Sequence, residues 1–409
     1  MLTLLGLLRG CFSKSTYATF TTIVAGWVHC LGRHTVTGIV IAAGAVGIRH
    51  IGTFHRFFSR AQWSLDAIGK IIFLCALKHI PGSKLIIPVD DTLSRKSGKC
   101  ISLASMHHDP LLSSGKRKLT SFGHNWVILS LWIPCPGTKS GIAIPLLFRL
   151  YVGSKRGNAT SAPGRKAAGP RLKKAIDIFP KERKTKPELA KEMILKIASW
   201  ALEYEIYVVV DSAYMSRTLL RDRPKNVHLI GHMTKKSVVR TPFCALQKPK
   251  PGRPPTRGLR LGNLGEIAAQ HTLREPLGIH IYGRDVQTSV HGIETIWHHA
   301  LPDELVKIVF VRDPKGHRAN DFFLCTDRSI QAQEILETYA RRWTLEVTFR
   351  DLKQELGFGE AQNQSEQSAL RTAPMAGIIF GLTVLWYADS GQPHVWLKRP
   401  WYSKKSTIC

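Results

Sequence analysis

Two short apolar runs that each end in aspartate constrain the fold of this chain more than any other feature. Residues 84–90 read KLIIPVD and are followed by Asp91, and residues 205–211 read EIYVVVD. Apolar runs of this length, rich in β-branched side chains, are typical of strands buried in a sheet. Open α/β sheets place functional residues at the carboxyl ends of such strands. The sequence therefore predicts two neighbouring parallel strands that bring acidic side chains together.

The segments around these runs predict the element order β-β-β-α-β-α-β. Strand-like patterns at 122–134 and 142–152 follow the first run, and a helix that opens with the capping-box pattern TKPE is expected over 185–204. A helical stretch at 215–221 and a strand at 227–230 follow the second run. This order resembles that of the ribonuclease H core. We therefore expect an α/β fold with a mixed sheet flanked by helices.

The charge balance predicts a polyanionic partner. Lys and Arg number 58 against 29 Asp and Glu, and the formal net charge is +29. Nucleic acid is the natural partner for such a surface, although binding to ribosomes or to anionic membranes would give the same balance. The eight cysteines include no CxxC pair, which is typical of a reduced protein in the cytoplasm.

The remaining segments have distinct patterns. Residues 1–80 have helix-like patterns, and in TFHRFFSR (53–60) the phenylalanines share one face and the arginines another. That arrangement suits a DNA-binding helix, and it suits equally a helix packed on its own domain with solvated arginines. Residues 235–328 include several strand-like runs and read as a β-rich insertion. Residues 372–388 are apolar but short for a bilayer span of about 20 residues, so we expect a buried helix and no membrane partner.

Carboxylates that meet at one sheet edge imply a bound cation. They raise each other's pKa unless a positive charge neutralises them. Oxygen-only ligands select hard ions, so Mg²⁺ is expected, with Mn²⁺ as its substitute. Two such ions about 4 Å apart can activate an attacking hydroxyl and stabilise the leaving oxygen in a displacement at phosphorus.

A third carboxylate, Glu346, stands in the pattern Tyr339-x2-Arg342-x3-Glu346-x6-Lys353. On one long helix from residue 329 or 331 to about 356, these four residues occupy a stripe about 60° wide. An adjacent apolar stripe would anchor that helix on the sheet and aim Glu346 at the aspartates. Arg and Lys beside a metal-binding Glu are suited to gripping phosphates.

Together these residues resemble the signature of bacterial insertion-sequence transposases with a DDE core, over residues 85–356. The resemblance implies a metal-dependent DNA endonuclease and strand transferase. Such an enzyme binds the terminal inverted repeats of its element, cleaves DNA at the ends and transfers the 3′-hydroxyls to target DNA. The residues that it assigns are Asp91, Asp211 and Glu346 as catalytic metal ligands, and Tyr339, Arg342 and Lys353 as phosphate contacts.

Some of these assignments leave alternatives open. Asp90 competes with Asp91 for the role of first ligand, because both end the same run. Asp211 alone could cap the following helix. A helix that carries charged residues at i, i+4-like spacing, as Arg342, Glu346 and Arg350 do, is also typical of a salt-bridged surface. Further candidate DNA contacts are Arg350 itself, Trp297 through base stacking, and Arg253, whose Pro-rich segment reads equally as a linker.

The expected organisation follows from this interpretation. The segments are an N-terminal helical, DNA-binding domain (1–80), a ribonuclease-H-like catalytic core (81–234 and 329–390), the insertion (235–328) and a basic tail (391–409). Expected partners are DNA and a second copy in a homodimeric synaptic complex, with no small-molecule substrate, in a nucleoid-associated cytoplasmic protein. The alternatives are an inactive or truncated transposase-derived DNA-binding protein, and another ribonuclease-H-like nuclease such as a junction resolvase.

Overall fold

The computed structural model describes most of the chain and shows a large mixed sheet flanked by helices. The described residues are 1–98, 100–135, 140–152, 184–243, 257–270, 275–313 and 319–390, with the backbone of 396–398 and 406–408. Within them, twelve strands form one sheet, and two short strands form a separate hairpin. The predicted α/β class with a mixed sheet and flanking helices is confirmed.

Helices occupy the N-terminal segment. They are α1 (Leu2–Leu7), α2 (Lys14–His29), α3 (Val36–Ala42), α4 (Ile51–Ser59) and α5 (Leu65–Ala76). The phenylalanines of α4 are buried and belong to the same apolar core as the sheet. Gly69 of α5 lies so close to the sheet that a Cβ there would be 2.2 Å from the carbonyl oxygen of Leu146. The helices therefore share one continuous core with the sheet.

The centre of the sheet contains the predicted strands. They are β1 (Lys84–Arg95), the short β2 (Ser105–His108), β3 (Thr120–Pro134), β4 (Gly141–Tyr151), β5 (Glu205–Val210) and β6 (Val227–His232). β1 is antiparallel to β3 and parallel to β5, and β5 is parallel to β6. Helices α6 (Lys186–Trp200) and α7 (Arg217–Leu220) make the connections, and Thr185 and Glu188 form the predicted capping box of α6.

The described residues between 235 and 328 continue the same sheet. Their elements are β7 (Val238–Arg240), β8 (Arg260–Asn263), α8 (Leu264–Gln270), β9 (Glu275–Ile281), β10 (Arg284–Ile296), β11 (Leu305–Arg312) and β12 (Asp321–Cys325). β12 pairs antiparallel with β6 and carries the ladder on through β11 to β10. This β-rich segment therefore extends the central sheet at the β6 edge.

The expected long helix over 329–356 is divided into two, which corrects the prediction that Tyr339 and Glu346 lie on one helix. The helices are α9 (Ala332–Ala340) and α10 (Trp343–Gln354). Between them, the amides of Arg341 and Arg342 donate to carbonyls only three residues earlier. The division lets the two arginines reach different partners: the Arg341 guanidinium lies 4.3 Å from the ring centre of Trp132 on β3, and Arg342 turns to β1.

The last long helix, α11 (Glu366–Ser390), is buried as expected for residues 372–388. By length and composition alone it could cross a membrane, but 78% of its most apolar window is buried inside the protein. Its Arg371 donates to the carbonyls of Ala61 and Trp63, which fixes α11 on the N-terminal helices. The backbone of β13 (Trp396–Lys398) pairs with β14 (Ser406–Ile408) beyond it.

Acid sensitivity is expected from His124 on β3. The ring is 3% exposed and its Nε2 lies 2.8 Å from the carbonyl of Ser102, and burial lowers its pKa to about 4. The unfolded chain, with a His pKa near 6.5, binds more protons than the native state between these values, so stability falls as the pH is lowered through this window. We expect the free energy of unfolding to fall by about 2 kcal/mol from this group between pH 7 and pH 5.

Urea unfolding of wild type and of His124→Gln at the two pH values measures this contribution. The variant should show a pH difference smaller than wild type by that amount, whatever its stability at pH 7. His55→Gln is the matched control, because His55 is exposed on α4. An equal pH difference in wild type and His124→Gln would contradict the assignment.

Candidate active site

The register of β1 and β5 decides which acidic side chains share a face of the sheet. Pro88 on β1 pairs with Val209 on β5 in parallel register. Side chains alternate along a strand, so residues two positions further on, Asp90 and Asp211, point to the same face. Asp91 points to the opposite face. The structure therefore separates the two adjacent aspartates that the sequence left as alternatives.

Asp90 is linked to Glu346 through Arg342. One carboxylate oxygen of Asp90, Oδ2, accepts a hydrogen bond from Nη1 of Arg342 at 2.5 Å, and Oε1 of Glu346 accepts one from Nη2 at 2.7 Å. The side chains of Asp90 and Arg342 are each 15% exposed. Burial, together with the negative charges of Asp211 and Asp91, raises the pKa of Asp90 to about 7 against the opposing positive charge of Arg342. Arg342 thus supplies the positive charge that pairs with Asp90 and Glu346. Together with Asp211, these two carboxylates form what we call the acidic cluster.

Asp211 lies directly after β5, in the turn that leads to α7. Its Oδ1 accepts hydrogen bonds from the backbone amides of Ala213 and Tyr214, at 3.0 and 3.2 Å. The side chain thus caps this turn, while α7 itself begins six residues after Asp211. The turn fixes the carboxylate at the carboxyl end of β5, beside Asp90.

Asp91 belongs to a second set of contacts. Its Oδ2 forms an ion pair with Nζ of Lys186 at 2.6 Å, and its Oδ1 accepts from the hydroxyl of Tyr214 at 3.0 Å. Burial and the negative charge of Asp91 raise the pKa of Tyr214 well above its usual value, so this hydroxyl stays protonated and donates. Neither partner was predicted from the sequence. The one available signal was the position of Tyr214, three residues after Asp211.

The other residues of the helical motif lie in different places. Tyr339 on α9 lies beside Arg342, with 5.9 Å between the ring centre and the guanidinium carbon. Lys353 lies further along α10 near the ion pair of Arg95 and Asp109; burial and Arg95 lower its pKa, and Asp109 opposes them. Arg350 is exposed and pairs with the neighbouring Asp351. Tyr339 thus adjoins the acidic cluster, whereas Arg350 lies on the surface.

Two further candidates do not reach this site. Trp297 is 7% exposed and packs in the apolar core, with its ring centre 6.1 Å from that of His299. The expected stacking of Trp297 on a base therefore conflicts with its position in this structure, because a buried ring offers no free face. Arg253 lies outside the described residues.

The donor set fits a hard divalent cation. Asp90, Asp211 and Glu346 supply only carboxylate oxygens, the ligand type that Mg²⁺ prefers. Burial and repulsion from the neighbouring aspartates raise the pKa of Asp90. A bound cation would lower that pKa again, because it favours the ionised carboxylate. In the described part of the chain no three acidic, His or Cys side chains converge at metal-binding distances, because Arg342 stands between Asp90 and Glu346.

Comparisons with known proteins complete the description of the site. No curated protein matches this chain. Among solved structures, the chain is similar to a cryo-EM structure of a piggyBac transposase synaptic complex with hairpin DNA, at 11% sequence identity and a TM-score of 0.43. That alignment covers 93% of this chain and 68% of the other. At this identity and score the likeness is a loose one.

The family comparison is more specific. A model described as DDE superfamily endonuclease matches residues 7–277. The matched part contains β1 and β5 with Asp90, Asp91 and Asp211, and Glu346 lies beyond it. Because this match covers more than half of the 409 residues, the protein belongs to the DDE superfamily endonuclease family.

Proposed function

We propose that this protein is a DNA transposase of the DDE type, encoded by an insertion sequence. In this proposal it binds the terminal inverted repeats of its own element, cleaves DNA at the ends and transfers the 3′-hydroxyls to target DNA. The observation that carries the proposal is the grouping of Asp90, Asp211 and the Arg342–Glu346 pair where the parallel pairing of β1 with β5 ends. Family membership and a net charge of +29 agree with a nuclease that acts on DNA.

We infer a ribonuclease-H-like core for the centre of the sheet. The support is the spatial order β4-β3-β1-β5-β6, in which β1 has an antiparallel neighbour on one side and a parallel neighbour on the other. Helices contribute to both faces, since α6 supplies Lys186 to the Asp91 face and α10 supplies Glu346 to the Asp90 face. Apart from the short additional strand β2, the elements follow the predicted order β-β-β-α-β-α-β along the chain. The first and fourth strands of that order, β1 and β5, lie side by side.

In this proposal the acidic residues hold the metal, and the first of them is Asp90. Asp90, Asp211 and Glu346 would hold Mg²⁺, or Mn²⁺ in its place, as two ions. Bound there, the metal would lower the pKa of the attacking hydroxyl and stabilise the negative charge on the leaving oxygen. Asp91, the first ligand by resemblance, becomes a positioning residue that ties β1 to α6 and to the Asp211 turn through Lys186 and Tyr214.

Arg342 has two roles in this proposal. Without a cation it neutralises Asp90 and Glu346. If Asp90 and Glu346 held Mg²⁺ instead, the guanidinium of Arg342 would be free to bind a phosphate, for which its planar pair of donors is well suited. Tyr339 lies within reach of the same phosphate because it adjoins Arg342. The remaining partners of the proposal are a second copy of the chain, which would allow both ends to be handled together, and the DNA of the nucleoid.

The test is a cleavage and joining assay with the purified full chain. Labelled DNA that carries the sequences flanking its own gene is incubated with supercoiled target plasmid, in Mg²⁺, in Mn²⁺ and in excess chelator. We expect metal-dependent cuts at the element ends and joined products in the plasmid. Cleavage only of four-way junctions or of RNA–DNA hybrids would instead indicate another ribonuclease-H-like nuclease. Binding of the ends without cleavage in either metal would indicate an inactive descendant.

A further inference from the structure

A basic pocket lies between the Asp211 side of the core and the β-rich segment. It is an open cavity of about 300 Å³, and its lining residues are Arg217, Val238, Arg240, Arg257, His298 and His299. They come from α7, from β7, from the chain before β8 and from the loop after β10. Among these described lining residues there is no carboxylate.

Two of the three arginines of this pocket are held by backbone oxygens. Nη1 of Arg240 donates to the carbonyl of Gly258 at 3.0 Å, and Nη2 of Arg217 donates more weakly to the carbonyl of His299 at 3.4 Å. A guanidinium has five N–H donors, so these contacts fix the side chains and leave donors for a ligand. Backbone carbonyls orient the arginines without neutralising them.

Some other arginines of the described chain form ion pairs with carboxylates. Arg223, close by in sequence, forms an ion pair with Glu304, and Arg149 forms one with Asp66. No described carboxylate forms an ion pair with Arg217, Arg240 or Arg257. A cavity lined by three guanidinium groups, with no carboxylate among its described lining residues, is complementary to an anion with several acceptor oxygens.

The electrostatics of His298 agree with this description. Partial burial lowers the pKa of His298, and the positive charges of Arg257 and Arg240 lower it further; Arg221 adds to the effect and Asp303 opposes it. The ring thus experiences a positive potential inside the pocket. An anion bound there would reverse that effect, because it favours the protonated ring.

We propose that this pocket binds a phosphate group of the DNA backbone, as a contact separate from the acidic cluster. The proposal deepens the proposed function and rests on it for the identity of the partner. Arg217 follows Asp211 by six residues, so the pocket and the acidic cluster border the same short stretch of chain. A duplex held by the pocket would be guided toward the carboxylates, and the contact would be independent of base sequence.

The test compares two double variants of the full chain. Arg240→Gln with Arg257→Gln removes two charges from the pocket. Arg284→Gln with Arg312→Gln is the matched control, because it removes two charges from exposed arginines of the same β-rich segment. Binding of a short fluorescent duplex of arbitrary sequence is measured by anisotropy in chelator, across a series of salt concentrations.

We expect the pocket variant to lose about tenfold in affinity and its log–log salt dependence to decrease in slope by about 1, as for the loss of one phosphate contact. The control should change much less. Arg240→Lys with Arg257→Lys keeps the charge and should recover most of the affinity. Equal binding by the pocket variant and the control would overturn the proposal.

Inorganic phosphate distinguishes a DNA contact from a site for a free anion. Thermal unfolding is followed with phosphate or chloride at equal ionic strength, which also shows that the variants fold. Stabilisation of wild type by phosphate that is lost in the pocket variant, together with reduced DNA affinity, supports the proposal. Stabilisation without any effect on DNA affinity overturns it in favour of a free anion. Since cleavage is not measured, an inactive catalytic cluster would leave these results unaffected.

Discussion

Asp90→Asn should abolish metal-dependent DNA cleavage, whereas Asp91→Asn should reduce its rate far less. A metal ion contributes several kcal/mol of charge stabilisation to phosphoryl transfer, and each 1.36 kcal/mol is a factor of ten in rate. We therefore expect a decrease of about 1000-fold or more for Asp90→Asn, and similar decreases for Asp211→Asn and Glu346→Gln. Asp91→Asn loses an ion pair with Lys186 that is partly exposed, so its rate should fall by about tenfold or less.

Cleavage of end-containing DNA is measured in Mg²⁺ and in Mn²⁺. Direct Mn²⁺ binding, followed by electron paramagnetic resonance, gives a second readout and should weaken in Asp90→Asn but not in Asp91→Asn. The two variants are a matched pair, because each replaces one carboxylate of the same strand by its isosteric amide. If Asp91→Asn lost cleavage and Mn²⁺ binding while Asp90→Asn kept both, the assignment from strand register would be wrong.

Much of the central sheet was predictable from local pattern. The runs that end in Asp90 and Asp211 have few polar residues because both faces of β1 and β5 are covered, which is the pattern of buried parallel strands. The start of α6 was predictable because the Thr185 and Glu188 side chains satisfy the first amides of the helix locally. These features depend on residues that are close in sequence.

The choice between Asp90 and Asp91 was not predictable, because it depends on register. A shift of one residue between β1 and β5 would exchange the faces of the two aspartates. The proposal that Asp90 is the first ligand rests on the pairing of Pro88 with Val209 and on the ion pair of Arg342 with Asp90. Lys186 of α6 contacts Asp91 from 95 positions away in the chain, and Arg342, at the start of α10, contacts Asp90 from about 250 positions away.

The division between α9 and α10 was also hidden from the sequence. No glycine or proline marks it. α9 packs Tyr339 on Phe323 of β12, whereas α10 donates from Thr348 to the carbonyl of Ala143 on β4. Each helix follows its own part of the sheet, so tertiary packing overrides a continuous helical pattern.

A buried ion pair between Asp66 and Arg149 connects the N-terminal helices to the sheet. The Arg149 side chain is 2% exposed, and its Nη1 and Nη2 donate to the two oxygens of Asp66 at 2.9 and 2.7 Å. Lys196 of α6 also pairs with Asp66. Burial acts to raise the pKa of Asp66, but Arg149 and Lys196 outweigh it and lower the pKa. One carboxylate thus holds α5, β4 and α6 together.

Asp66→Ala should destabilise the protein by about 3–5 kcal/mol, because it leaves Arg149 buried with much of its charge uncompensated. Urea unfolding at neutral pH measures the change. Glu192→Gln is the control: Glu192 accepts from Nε of the same arginine at 2.8 Å, but its side chain is 28% exposed, so we expect a loss of about 1 kcal/mol.

A second variant separates the unpaired charge from simple loss of packing. Asp66→Leu combined with Arg149→Met removes both buried charges and replaces them by apolar groups, which in other buried ion pairs is often neutral or stabilising. Lys196 is 36% exposed and can turn to solvent. We therefore expect the double variant to be more stable than Asp66→Ala. If instead the double variant were at least as unstable as Asp66→Ala, the packing of the helices would depend on the ion pair itself. The destabilisation by Asp66→Ala would then not come from leaving the buried charge of Arg149 unpaired.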